Sequence, residues 1–240
     1  MTIIADSERV DDFSSFGIRA FTTTRASGTF GLASDEPARV VMQRWRQLRE
    51  DLEPNGVRLA SANQVHGSRV VIHSDGWEGW LRVDAADGHV APERGLALAV
   101  SIADCVPVFI AHPSGAVALL HSGWRGTAAR IVERGIEVLA QRGFAAGELR
   151  LHLGPAICGK CYQVGADVFR QLTGGESSRA AECVDLRALI AGHARAAGVW
   201  HITTSALCTR CDNGRLYSHR AGDAGRQIAV IYAEPVVAEM

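Results

Sequence analysis

The sequence predicts a mixed α/β fold, and three observations carry that expectation. Residues 96–103 and 106–111 are nearly continuous apolar runs, as in strands buried on both faces. Helical periodicity appears on either side of them: Val40, Val41, Trp45 and Leu48 form one apolar stripe, and Ala128, Ile131, Val132, Gly135, Val138 and Leu139 form another. The chain has 240 residues, 47% of them hydrophobic, with no internal repeat, low-complexity tract or clear linker, so a single domain over residues 1–240 is the economical organisation.

Residues 16–24 read as a strand, followed by a loop through Gly28 and Gly31. Asp35-Glu36-Pro37 reads as a helix start, with Asp35 as N-cap and Pro37 in the first turn, and the helix runs to about residue 52. Two short β-prone runs follow, 57–62 and 68–73. Residues 74–95, rich in Gly, Asp and Trp, read as a long irregular connection. After the two apolar strands, Pro113-Ser114-Gly115 makes a turn into a strand over 116–120. One helix is expected over about 127–141, stopped by Gly143. Residues 149–153 read as a strand and 164–172 and 185–197 as helices, the second capped by Asp185 and ended by Gly198; 199–206 and 227–233 are closing strands.

Charge is nearly balanced, with 25 Lys and Arg against 26 Asp and Glu, which gives no electrostatic reason to expect nucleic acid or a membrane surface as partner. The first residues lack a basic segment leading into an apolar one, and no apolar stretch approaches the ~20 residues of a spanning helix. A cytoplasmic location is expected, with the six Cys mostly reduced.

Three motifs carry chemistry. His66 stands in Asn63-Gln64-Val65-His66-Gly67, Cys105 in Ala103-Asp104-Cys105-Val106-Pro107, and His121 in His121-Ser122-Gly123-Trp124-Arg125-Gly126. Each lies where an apolar run gives way to a loop. Two imidazoles and a thiolate can supply three ligands to Zn²⁺ and leave a fourth position open; the same residues could form a Cys nucleophile with a His base. Separately, each also has a bland account: a loop histidine, a buried free Cys, a strand-end histidine. Gly123-Trp124-Arg125-Gly126-Thr127 leads into a helix and could present free N–H groups and Arg125 to an anion, or be a tight turn with Trp124 in the core. Two Cys-x-x-Cys pairs, Cys158/Cys161 and Cys208/Cys211, are too far apart for a compact zinc ribbon, so separate thiols are favoured over a four-Cys zinc site. Arg25, Arg220 and Arg226 sit in polar turns that could approach one cleft.

These segments, with Thr23-Thr24-Arg25, Ala86-Asp87, Leu153-Gly154-Pro155, Cys161-Tyr162-Gln163-Val164-Gly165, Cys208-Thr209 and Tyr217-Ser218-x-Arg220, resemble in order the YfiH-like family, also labelled the multicopper polyphenol oxidase or laccase-domain family. The resemblance spans nearly the whole chain. It implies an α/β/β/α layered sandwich related to bacterial deamidating toxins, and a zinc site of His66, Cys105 and His121. It also implies phosphorolysis of adenosine, inosine and methylthioadenosine and deamination of adenosine, with nucleoside and phosphate as partners. Arg25, Arg125 and Arg220 are then candidates to hold phosphate, and Asp104 or Gln64 to orient a ligand imidazole or carry a proton. Gln64, Arg25 and Arg220 are the substrate-binding candidates. Copper-dependent phenol oxidation and editing of peptidoglycan precursors are the family's other proposed activities; a metal-free Cys105–His121 hydrolase and a zinc-stabilised binding module are further rivals. Copper is a possible alternative metal, since blue-copper sites use a His₂Cys set. Multicopper oxidases, however, need many more His ligands, including His-x-His pairs, and this chain has none.

Overall fold

Alternation along the strands builds the molecule in layers. The computed structural model describes residues 6–52, 56–74, 76–176 and 180–235. In β7 (Leu96–Ile102), Leu98, Val100 and Ile102 face one side and Ala97 and Ala99 the other. In β9 (Val117–Ser122), Val117 and Leu119 meet that same interior, while Ala118 and Leu120 point away from it. The two strands belong to different sheets, and their inward sets form the central apolar layer.

The first sheet has the order β1 (Ser7–Arg9), β2 (Ile18–Thr23), β14 (Gln227–Ala233), β7, β3 (Arg58–Ala62) and β5 (Trp80–Val83). The second has the order β13 (His201–Thr204), β10 (Arg150–Leu153), β8 (Val106–Ala111), β9, β6 (Gly88–Ala91) and β4 (Val70–Ile72). Both are mixed: β14 runs antiparallel to β7 but β3 parallel to it, and β8 runs antiparallel to β9 but β4 parallel to β6. A short ribbon pairs β11 (Gln163–Gly165) with β12 (Ala181–Cys183).

Helix α1 (Ala38–Leu52) covers the outer face of the first sheet. Its buried residues Val41, Trp45, Leu48 and Leu52 recur at helical spacing, and each such side chain removed from water contributes roughly 1.5–3 kcal/mol. The outer face of the second sheet is covered by α2 (Trp124–Ala128), α3 (Ile131–Ala140), α4 (Ala166–Thr173) and α5 (Leu186–Ala196). The α/β/β/α sandwich is therefore the observed architecture.

Four local expectations need correction. Helix α1 begins after Pro37, whose carbonyl accepts from Val40 and Val41, so Asp35 lies in the preceding turn rather than at the cap; Val40 is only half-buried and Leu52 completes the stripe. Residues 74–95 are not an irregular connection but contain β5 and β6. There, Trp80 stacks on Trp45 at 4.6 Å, and a Cβ on Gly88 would lie 2.8 Å from both Leu120 and Val70. Glycine here serves strand packing, so composition misled. The single helix expected over 127–141 is two helices, broken where Arg130 adopts a left-handed φ of 61°. Asp185 does cap α5, its carboxylate accepting from the Ala188 N–H at 3.1 Å. Finally, the two Cys-x-x-Cys pairs are not separate thiols: their four sulfurs lie within 4.8 Å of one another.

Candidate active site

His66, Cys105 and His121 meet where the chain crosses between the sheets. His66 lies on the connection from β3 in the first sheet to β4 in the second, and Cys105 on the connection from β7 to β8. His121 sits near the end of β9, opposite Pro107 of β8. Two crossings between the sheets thus deliver two ligand candidates beside a third held in a strand. Their ligand atoms lie within 4.8 Å of one another, and the two imidazole rings stand edge-on at 4.8 Å. His66 is exposed, Cys105 half-buried and His121 buried, so the cluster opens on one side.

Backbone conformation at the crossings is unusual. His66 has φ 60° and Asp104, next to Cys105, has φ 83°, left-handed values that cost a non-glycine residue about 1–3 kcal/mol. Gly123 shows why its position lacks a side chain: a Cβ there would lie 2.8 Å from Cys105 Sγ and 3.4 Å from His66 Cδ2.

Asp87, fully buried at the start of β6, organises the site. Its carboxylate accepts from the backbone N–H groups of Val65, His66 and Gly67 at 3.1, 3.0 and 2.7 Å, and from His121 Nδ1 at 2.8 Å. Burial pushes this carboxyl up, but these donors outweigh it and hold it below the usual range. A carboxylate behind a ligand histidine fixes its tautomer and leaves Nε2 for a metal.

Electrostatics match the donor set. Burial pushes the Cys105 thiol up, yet the neighbouring His121 and His66 bring it down to about 6. Burial pushes His121 down, yet the Cys105 thiolate and Asp87 raise it to about 9. Both shifts favour a thiolate beside an imidazolium, and a divalent cation would replace that proton. Two nitrogens, one sulfur, an anchoring carboxylate and an open side together fit a tetrahedral metal with one position free.

The remaining candidates are distributed around this cluster. Asp104 does not touch a ligand imidazole: its carboxylate accepts from Thr209 Oγ1 at 2.6 Å and from the Arg220 N–H at 2.7 Å. Gln64 is spent on Ser101, accepting from its N–H at 2.8 Å and donating to its carbonyl at 2.9 Å, which pins the His66 loop to β7. Asp87, not either of these, orients His121. Arg25 pairs with Asp223, donates to the Asn213 carbonyl and stacks on Tyr217. Asp223 in turn accepts from the Ser218 N–H, so Arg25 secures the loop that carries Arg220. Arg226 donates to the carbonyls of residues 223–225 and is likewise committed to that loop. Arg220 donates to the Gln163 carbonyl and lies over the Tyr162 ring, while exposed Arg125 lies over half-buried Trp124. Helix α2 has only five residues, too short to offer much dipole to an anion. Burial and the nearby Cys105 thiolate push the Tyr162 phenol up to about 12, so it stays a hydrogen-bond donor.

Sequence reasoning assigned no role to Asp87 or Tyr162. The signal for Asp87 was faint: one acidic residue before a buried run, its partners 20 to 34 residues away in sequence.

The family model described as multi-copper polyphenol oxidoreductase laccase matches residues 19–234. The chain belongs to this family. A purine nucleoside phosphorylase of Mycobacterium tuberculosis is 37% identical over 235 residues, covering 90% of this chain and 92% of its own. An adenosine deaminase, RL5, from an unknown prokaryotic organism is 29% identical over 250 residues, covering 90% and 94%. The crystal structure of YlmD from Geobacillus stearothermophilus superposes with a TM-score of 0.82 at 29% identity, covering 92% of this chain and 94% of that one. Such relatives support an enzyme in this chain and a metal at its His/Cys cluster.

Proposed function

We propose that this chain is a zinc-dependent purine nucleoside enzyme. In this reading it phosphorolyses adenosine, inosine and methylthioadenosine to the free base and a sugar 1-phosphate, and deaminates adenosine, in the cytoplasm. The observation that carries the proposal is the one-sided opening of the His66–Cys105–His121 cluster, backed by Asp87. Names of the relatives add the purine nucleoside class. Zn²⁺ held by the three residues would supply Lewis-acid chemistry at the open position.

The protein's own residues do the rest. Asp87 keeps the His121 Nδ1 proton and anchors the His66 loop through three N–H groups. Arg125 and Arg220 lie near enough to act on the Tyr162 phenol, which supports them as the guanidiniums that would neutralise a phosphate. In phosphorolysis a phosphate oxygen forms the bond to C1′, the bond from C1′ to the base breaks, and the base departs with the electron pair and takes up a proton. Arg25, Gln64 and Asp104 act as positioning residues, since their polar groups already bind the loops that carry Arg220, His66 and Cys105.

Zinc is preferred to copper oxidase chemistry on ligand supply. Among the described residues the His/Cys/carboxylate clusters are this trio and one all-sulfur group, which leaves no multi-histidine copper array for dioxygen.

The test is incubation of the purified, zinc-loaded chain with adenosine and phosphate, following adenine and inosine by chromatography beside Cys105→Ala. Either product, formed only by the intact chain, supports the proposal. No turnover by a folded, zinc-bound chain counts against the purine reading, and turnover surviving in Cys105→Ala counts against the site.

A further inference from the structure

The second cysteine cluster lies outside the chemistry described so far. Cys158 and Cys161 occupy the turn before β11; Cys208 and Cys211 occupy a turn after β13. Fifty residues separate the pairs, and a single parallel bridge, Ala156 with Cys208, joins the two turns in space. The Thr209 N–H donates to the Ala156 carbonyl at 3.2 Å, and buried Arg187 of α5 donates to the carbonyls of Ser205 and Leu207. Gly159 packs against Asp185, where a Cβ would meet the Asp185 Cβ at 2.9 Å.

All four sulfurs lie within 4.8 Å of one another, and Cys161 Sγ is 3.5 Å from Cys211 Sγ. Four thiolates around a zinc at 2.3 Å would stand about 3.8 Å apart. The cluster, with one pair at 3.5 Å and none beyond 4.8 Å, is compact enough for such a shell, without a disulfide among its members. Backbone N–H groups are aimed at the sulfur of buried Cys208, from Cys158 at 3.3 Å and from Cys211 at 3.4 Å. Such contacts hold the sulfur in place. Neither pair opens a helix as a thioredoxin-like redox pair does: Cys161 leads into a strand and Cys208 into a turn. The sixth cysteine, Cys183, stays outside the cluster, its thiol turned to the Lys160 carbonyl.

We infer that Cys158, Cys161, Cys208 and Cys211 form a second, closed metal site that takes Zn²⁺ in a four-sulfur shell. Binding displaces the thiol protons to solvent and leaves no ligand position for substrate, so the role is structural. The two turns it joins hold the neighbour of Cys105. Ile157 N–H donates to the Asp104 carbonyl at 3.0 Å, and Thr209 Oγ1 to the Asp104 carboxylate at 2.6 Å. The closed site thus clamps the loop from which the open site draws its thiolate.

The test uses the full chain carrying Cys105→Ala, which removes the open site and leaves the four cysteines intact. Metal analysis should find one zinc per chain, and X-ray absorption at that zinc should show four sulfur neighbours. Adding Cys211→Ser should remove that zinc and lower the melting temperature. If the double variant does not fold, the sulfur shell of the single variant still decides. A folded Cys105→Ala chain without zinc, with a Cys161–Cys211 disulfide, with iron in place of zinc, or with a nitrogen or oxygen shell would overturn the inference. Because no turnover is measured, these outcomes are independent of whether the open site acts on purine nucleosides.

Discussion

The molecule gathers metal-ligating side chains in two places, and the two are built on opposite plans. The His66–Cys105–His121 cluster mixes nitrogen with sulfur, rests on a buried carboxylate and leaves one side exposed. The Cys158–Cys161–Cys208–Cys211 cluster is all sulfur, rests on backbone N–H groups and joins two turns bridged at Ala156 and Cys208. Three ligands with an opening suit chemistry on a bound molecule; four soft ligands with none suit a clamp. The difference shows that function follows from what the donors leave open as much as from which donors meet.

Cys105→Ala should break this contrast most sharply. It removes the thiolate of the open site, and the several kcal/mol that a Lewis acid supplies corresponds to a rate loss of about 10³-fold. Thermal unfolding should stay close to that of the intact chain, because no layer of the sandwich depends on this side chain. A large fall in melting temperature would place both clusters in the structural class.

Asp87→Asn comes next. The amide cannot serve His121 and three N–H donors as the carboxylate does. Loss of such an outer partner costs about 10–100-fold in metal affinity or activity. Zinc titration against a chelator reads the change, and an unaltered affinity would remove Asp87 from the site.

Gly123→Ala sharpens the geometry further. Its new Cβ would press on Cys105 Sγ from 2.8 Å, so metal affinity at the open site should fall while the all-sulfur cluster keeps its ion. Equal loss at both sites would mean the substitution disturbs the fold instead.

A separate effect, on stability rather than on either cluster, belongs to the second sheet. His73 and His89 are buried, 2.9 Å apart through ring nitrogens, and burial holds them down to about 4 and about 3 against an ordinary 6.5. Between those values the unfolded chain binds more protons than the folded one. Stability therefore falls as pH drops from about 6.5 toward 4, by up to about 1.4 kcal/mol per pH unit for each group. Urea unfolding at pH 7, 6 and 5 should show this slope, and it should persist in Cys105→Ala. A slope that vanishes in that variant would assign the acid sensitivity to the open cluster.

Much of this was legible in the chain. The apolar runs of β7 and β8, the stripe of α1, the Asp185 cap and the positions of His66, Cys105 and His121 at strand ends all follow from local pattern, because burial on two faces, helical spacing and capping each act over a few residues. Other features were not. Gly88 opens β6 for reasons of packing and Asp87 precedes it for anchoring, so the composition around β6 imitates a loop. Arg130 breaks a helix that its periodicity continues.

By itself, the sequence determined the mixed α/β class and which residue types stand at the turns. Tertiary structure alone decided that Asp87 serves His121, that Gln64 and Asp104 are spent on loops, and that two cysteine pairs fifty residues apart share one small space. The reason is that hydrophobic periodicity is written in neighbouring residues, whereas hydrogen bonds and ligand clusters depend on distances that only the packed sheets set.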